Sequence, residues 1–223
     1  MTKSIYEQLN ANGTIAKQRF VENFSGDALD TDRWTTYGTA GNYTISMDDA
    51  VNGGLYLVAG TNDNDAAGIG FGGSWGGDQT VRHFSNTASK IIFVQKFSAS
   101  GEYQASESGF DQHLRNDGLG GAKSGAVLVT STHNTNSKWV LRTANGSGYS
   151  GVTYITSSSM DTDRHVFTIE CKASSVELTI DGVTESTSTT TLPIERMGVS
   201  FGIQTEGTGT GKTNINYVEA YNT

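Results

Sequence analysis

The feature that most constrains this chain is an alternation of period two that runs through nearly all of it, with no helical period in between. In His165–Cys171 the residues His165, Phe167, Ile169 and Cys171 share one face, opposite Val166, Thr168 and Glu170. Val176, Leu178 and Ile180 continue the pattern, and Asp181-Gly182 follows as a two-residue hairpin turn. Leu55, Leu57 and Ala59 form a further inward stripe, as do Met197, Val199, Phe201 and Ile203. Asn52-Gly53 and Asn145-Gly146 supply turn signals beside strand-like sequence. Lys90–Phe97 is apolar on both faces, Ile92 and Val94 against Ile91, Phe93 and Phe97, as a central strand between two layers would be. Roughly a dozen or more short strands are expected. Without helices to carry crossovers the sheets must be mainly antiparallel. Composition agrees: 28 of 223 residues are glycine and charged residues make up only 17%. The expected fold is all-β, closed as a two-sheet antiparallel sandwich or a barrel. It occupies residues 20–223 as one domain, after an N-terminal segment 1–19 that is extended or holds a short helix over Ser4–Asn10.

Charge and cysteine content narrow the function classes. A formal net charge of −8 argues against nucleic acid as a partner, because phosphate binding needs a concentrated basic surface. No apolar stretch is long enough for a transmembrane helix, so membrane insertion is not expected. The first twenty residues are polar and lack the apolar centre of a signal peptide. The expected setting is therefore a virion or cytoplasmic assembly, or an extracellular domain whose signal has been trimmed. Cys171 is the sole cysteine, so the fold does not depend on an internal disulfide.

Two local motifs imitate catalytic sites and fail on context. Gly207–Thr213 resembles a phosphate-binding loop, but Glu206 stands where its first glycine belongs, and a strand pattern follows instead of a helix. Gly72-Gly73-Ser74-Trp75-Gly76 matches the nucleophile elbow, which works only at a strand-to-helix turn, whereas Gln79–Phe84 reads as a strand. Trp75 keeps its interest: in a glycine-rich loop it either folds over the core or stacks on a sugar ring. The histidines His83, His113, His133 and His165 have no paired-ligand spacing, and no metal site is assigned. Asn62-Asp63-Asn64-Asp65 is oxygen-rich enough for calcium but lacks the rest of a calcium loop, and such tracts are more often plain turns.

Phe24-Ser25-Gly26-Asp27-Ala28-Leu29-Asp30-Thr31-Asp32-Arg33-Trp34 resembles the opening phrase of concanavalin A-like lectin/glucanase domains. Gly53–Leu57 looks like their next strand, His165–Gly182 like their paired strands ending in Asp-Gly, and Asn216–Tyr221 like their closing strand. The resemblance covers most of residues 20–223 in the expected order. It implies a two-sheet antiparallel jelly-roll sandwich, its sheets curved and its ligands bound on the concave face. It also implies a structural calcium ion in many relatives, but Asn216 stands where those have Asp, so no cofactor is expected beyond that possibility. Glucanases of this superfamily carry Glu-x-Asp-x-x-Glu, which sets a nucleophile and an acid about 5 Å apart on one strand face. No Glu-x-Asp occurs in this chain, and of the alginate-lyase motifs only Gln112-His113 is faintly echoed.

One constellation remains. In Gly109–Asn116, Phe110, Gln112 and Leu114 share a face, leaving Asp111, His113 and Arg115 together on the other. A carboxylate, an imidazole and a guanidinium in a row suit the binding of hydroxyls or a carboxylate. The alternative is an ordinary solvated strand face. Gln95 and Tyr103 are expected nearby, with Trp75 for stacking. The expected function is a noncatalytic module that binds a glycan or polysaccharide, or serves in adhesion. The alternatives are a structural or receptor-recognition protein of a phage or virus particle, acting as a homo-oligomer or in a larger particle, and an atypical polysaccharide lyase or glycoside hydrolase.

Overall fold

A computed structural model describes residues 19–47, 53–71, 83–97, 104–111, 124–130, 138–145, 153–205 and 209–223. Among them are fifteen strands and no helix. The expected helix over Ser4–Asn10 lies outside the described residues. In chain order the strands are β1 (Arg19–Glu22), β2 (Trp34–Gly38), β3 (Tyr43–Met47), β4 (Leu55–Ala59), β5 (Ala66–Phe71), β6 (Ser89–Phe97), β7 (Gln104–Asp111) and β8 (Ser124–Thr130). They continue as β9 (Lys138–Asn145), β10 (Thr153–Ser159), β11 (Arg164–Cys171), β12 (Val176–Ile180), β13 (Val183–Ser188), β14 (Gly198–Thr205) and β15 (Lys212–Asn222).

They form two antiparallel sheets. The eight-stranded sheet runs β13-β12-β11-β6-β15-β4-β3, with β1 also pairing β15; the seven-stranded sheet runs β10-β9-β8-β7-β14-β5-β2. The hairpin at Asp181-Gly182 forms as its sequence requires: both residues have positive φ, 49° and 85°, and Ile180 faces Val183 across the turn. β6 is central in its sheet, between β11 and β15. Its outward Ile92 and Val94 are only half-buried, shielded by cross-strand neighbours such as Thr168 and Glu219.

Inward residues of both sheets meet in one core whose largest members are aromatic. Phe20, Phe24, Phe71 and Trp34 cluster at one end, with ring centroids 4.3 Å apart for Phe20–Phe71 and 5.4 Å for Phe24–Trp34. From Trp34 the contacts run to Phe201 (6.4 Å), then Phe93 (5.5 Å), Phe167 (5.3 Å) and Trp139 (5.0 Å). The series crosses from sheet to sheet, because Trp34, Phe201 and Trp139 belong to the seven-stranded sheet and Phe93 and Phe167 to the other. Phe24 and Trp34, which bracket the opening phrase, are thus core anchors. Between them the Asp30 carbonyl accepts the backbone N–H groups of Arg33 and Trp34, closing the turn that starts β2.

At the far end of this series His165 lies edge-on to Trp139, with centroids 5.9 Å apart. Its Nδ1 is 2.6 Å from Asp181 Oδ2 and its Nε2 2.9 Å from Asp161 Oδ1. Burial alone would lower the His165 pKa, but the bonds to Asp181 and Asp161 outweigh it and the net shift is upward. Burial likewise works to raise both carboxylates, and their bonds to His165 hold them below the ordinary range. The imidazolium's contribution to stability is complete below the unfolded value of ~6.5 and fades as pH rises through the raised folded value. The carboxylates' contribution is present above ~3.9 and fades as pH falls through their lowered values. Since Asp161 and Asp181 are about half exposed (49% and 51%), screening keeps the effect small. His165→Gln is expected to destabilise the fold by about 1 kcal/mol at pH 5.5 and by clearly less at pH 8.5. Urea unfolding at the two pH values checks this.

Candidate functional site

The outer face of the seven-stranded sheet is built from unusually small residues. Along β14 the inward Val199, Phe201 and Ile203 enter the core, so Gly198, Ser200, Gly202 and Gln204 point outward. Register sets Gly70 beside Ser200, Gly68 beside Gly202 and Ala66 beside Gln204. On the other flank Gly109 pairs with Ser200 and Glu107 with Gly202. The centre of this face is therefore largely floored by backbone.

Tyr37 of β2 lies across that floor. A Cβ on Gly68 would stand 2.0 Å from its Cζ, and one on Gly202 2.3 Å from its Oη, so both positions must lack a side chain for the ring to lie there. The Tyr37 hydroxyl donates to the Phe201 carbonyl at 3.4 Å. At one end of the same face Gln204 Nε2 donates to Asn64 Oδ1 at 2.7 Å. Farther along, Val127 and Val140 make a small apolar cluster separate from the main core.

Asp111 ends β7 on this sheet, its backbone paired with Gly198 on one side and Gly125 on the other. His113, Arg115, Trp75 and Tyr103 lie outside the described residues. Gln95 belongs to β6 in the opposite sheet and is fully buried between the layers, where its Nε2 donates to Thr213 Oγ1 at 2.8 Å. Asp111 and Gln95 thus stand on different sheets. Sequence reasoning missed Tyr37 and its glycine track. The signal was available in Ala66–Phe71 and Gly198–Ile203, where small residues alternate with large apolar ones.

The remaining chemical candidates resolve as structure. Asn62–Asp65 is a turn whose carboxylate is occupied: Asp65 Oδ2 accepts from the Asn62 backbone N–H (2.9 Å) and Nδ2 (3.1 Å), and Oδ1 from Asn42 Nδ2 (3.5 Å). Asn216 donates its Nδ2 to the Gly53 carbonyl at 2.7 Å. Among the described residues no three His, Cys, Asp or Glu side chains converge as metal ligands. Burial pushes the Cys171 thiol up to about 12, which removes it as a nucleophile. The glycine-rich stretch before Lys212 leads into β15, a strand, where a phosphate loop would need a helix.

No family model matches the sequence, and no curated protein matches it. Solved structures do. The apo Crh5 transglycosylase is 15% identical at a TM-score of 0.61, over 92% of this chain and 84% of that one. A Bacillus licheniformis β-glucanase is 12% identical at 0.61, over 92% and 98%. A glycoside hydrolase family 16 endo-glucanase from Bacteroides ovatus, in complex with G4G3G-2F-DNP, is 13% identical at 0.58, over 89% and 98%. These likenesses establish the fold, the concanavalin A-like jelly roll that the opening phrase resembles.

The Tyr37 geometry has a direct test. Gly68→Ala is expected to cost ~1–3 kcal/mol by driving its Cβ into the ring. In a Tyr37→Ala background the same change should cost little, giving a coupling well above 0.5 kcal/mol in a double-mutant cycle read by chemical denaturation.

Proposed function

We propose that this protein binds a glycan or polysaccharide on the outer face of its seven-stranded sheet and does not cleave it. The observation that carries the reading is the likeness of this sandwich, over 92% of the chain, to a β-glucanase and a transglycosylase. On the proposed face the glycines of β5 and β14 and the ring of Tyr37 are buried and form its floor. Asp111, His113 and Arg115 would supply hydrogen bonds to hydroxyls or a carboxylate, and Trp75 a ring for stacking, with Tyr103 as a further contact. The structural neighbours include glucanases and a transglycosylase, which supports a carbohydrate ligand. The missing Glu-x-Asp supports binding without hydrolysis by a paired-carboxylate route.

A second reading, an atypical glycoside hydrolase, draws on the same neighbours, since the chain spans nearly the whole length of the Bacillus and Bacteroides enzymes. Product analysis separates the two. On a polysaccharide retained by the protein in affinity electrophoresis, no reducing ends and no unsaturated uronates should appear over a long incubation. Reducing ends would establish a hydrolase, and unsaturated ends a lyase. His113→Ala with Arg115→Ala should weaken retention at least ~10-fold, the loss of one to two charge-assisted hydrogen bonds, without shifting the thermal midpoint. Unchanged retention in that variant would remove the row from the site.

A further inference from the structure

The sandwich has a second concavity, at its edge rather than on its face. β3 is the last strand of the eight-stranded sheet and β2 the last of the seven-stranded sheet. The inward row of β3 (Tyr43, Ile45 and Met47) is only partly covered, and the segment after Phe24 folds back beneath it with Leu29 inward. A cleft of about 550 Å³ remains, lined by Asp27, Leu29, Thr31, Thr36, Tyr43 and Ser46, with Ala28, Ile45 and Met47 completing its wall.

Tyr43 gives this cleft its character. One face of its ring is seated on the backbone of Gly38, where an added Cβ would stand 2.3 Å from ring atoms Cγ and Cδ1. The residue nevertheless remains 39% exposed, so the ring is fixed from one side and open on the other. The polar groups around it are unspent: the side chains of Asp27, Thr31, Thr36, Tyr43 and Ser46 make no hydrogen bond to another described residue. No lysine or arginine is among the described lining residues. The guanidinium of Arg33, in the adjoining cleft, is engaged by Glu22 at 3.5 Å and Asp30 at 3.4 Å.

We infer that this edge cleft is a separate binding site for a neutral pyranoside, a mono- or disaccharide unit whose apolar ring face lies on Tyr43. A pyranose presents C–H groups on one face and hydroxyls around its rim. The cleft answers with an immobilised aromatic face, four hydroxyls and one carboxylate acceptor. A uronate or sulfated sugar would meet Asp27 with no cation to offset it. The cleft volume falls within the range of small-ligand sites. The site is independent of the outer-face reading, because no lining residue belongs to the Asp111/His113/Arg115 row.

The test is an amide-detected NMR titration of the full chain with cellobiose, lactose and chitobiose as neutral probes and a digalacturonate as the anionic one. At least one neutral disaccharide should shift the amides of residues 27–31 and 43–47 saturably, and the digalacturonate should not. Tyr43→Ala should weaken that binding at least ~10-fold. Asp27→Asn, which leaves the ring in place, should weaken it less and lower the discrimination against digalacturonate. His113→Ala with Arg115→Ala should leave it unchanged. No shift at these amides with any neutral probe overturns the inference, as does preference for digalacturonate. Shifts lost in the His113/Arg115 variant but kept in Tyr43→Ala would assign the sugar to the outer face alone, and would overturn it too.

Discussion

The structure depends on the aromatic series that joins its two sheets. An antiparallel sheet of short, glycine- and threonine-rich strands has little apolar area per residue, and stacking two of them requires large side chains at the interface. Phe20, Trp34, Phe71, Phe201, Phe93, Phe167 and Trp139 meet that need, drawn from both layers and in contact at centroid separations of 4.3 to 6.4 Å. Removing one such ring from a buried core typically costs 3–5 kcal/mol, a large fraction of the stability of a domain this size. His165 closes the series where the interface meets solvent, one ring edge on Trp139 and both nitrogens tied to carboxylates. A protonatable group can sit there because Asp161 and Asp181 reach it from the water side.

The same arrangement shapes the outside. With bulk drawn inward along β5 and β14, their outward positions are free to be Gly68, Gly70, Gly198, Ser200 and Gly202, a strip of backbone and small residues that is itself buried. Tyr37 lies buried across that strip, and it does so only because two adjacent strands both lack a Cβ beneath it. Inward bulk and outward smallness are two halves of a single period-two pattern.

That pattern was legible in the chain to the extent that it is local. Alternation identified the inward stripes of β4, β11, β12 and β14, and Asp181-Gly182 specified its own turn. The phrase from Phe24 to Trp34 pointed to the right architecture because its spacing sets two core rings 5.4 Å apart around a turn held by Asp30. What alternation does not encode is which sheet a strand joins. β6 and β7 are consecutive in the chain yet lie in opposite layers, so Gln95 and Asp111, adjacent in a linear reading, have no common face. Gln95 also shares the parity of Phe93 and Phe97, which sends it inward whatever its polarity. Tyr37 escaped notice for a related reason: its setting comes from glycines thirty-one and far more positions away, brought together only by lateral pairing.

The amide side chain at position 216 fits this economy of interactions. In β15 the register shifts between Ile215 and Tyr217, and a bulge there would leave the Gly53 carbonyl facing the strand without a ladder partner. A cation held by a carboxylate is one way to satisfy such an oxygen, at the cost of making the fold depend on an ion. Here two amides do the work, Asn214 Nδ2 at 3.1 Å and Asn216 Nδ2 at 2.7 Å, both donating to the same carbonyl. Asn214 is fixed in turn, its Oδ1 accepting from the Arg164 guanidinium at 3.0 Å, so the chain β11–β15–Gly53 is closed by neutral and charge-assisted hydrogen bonds. The irregular part of the strand is thus tied to its neighbours by side chains of its own sheet.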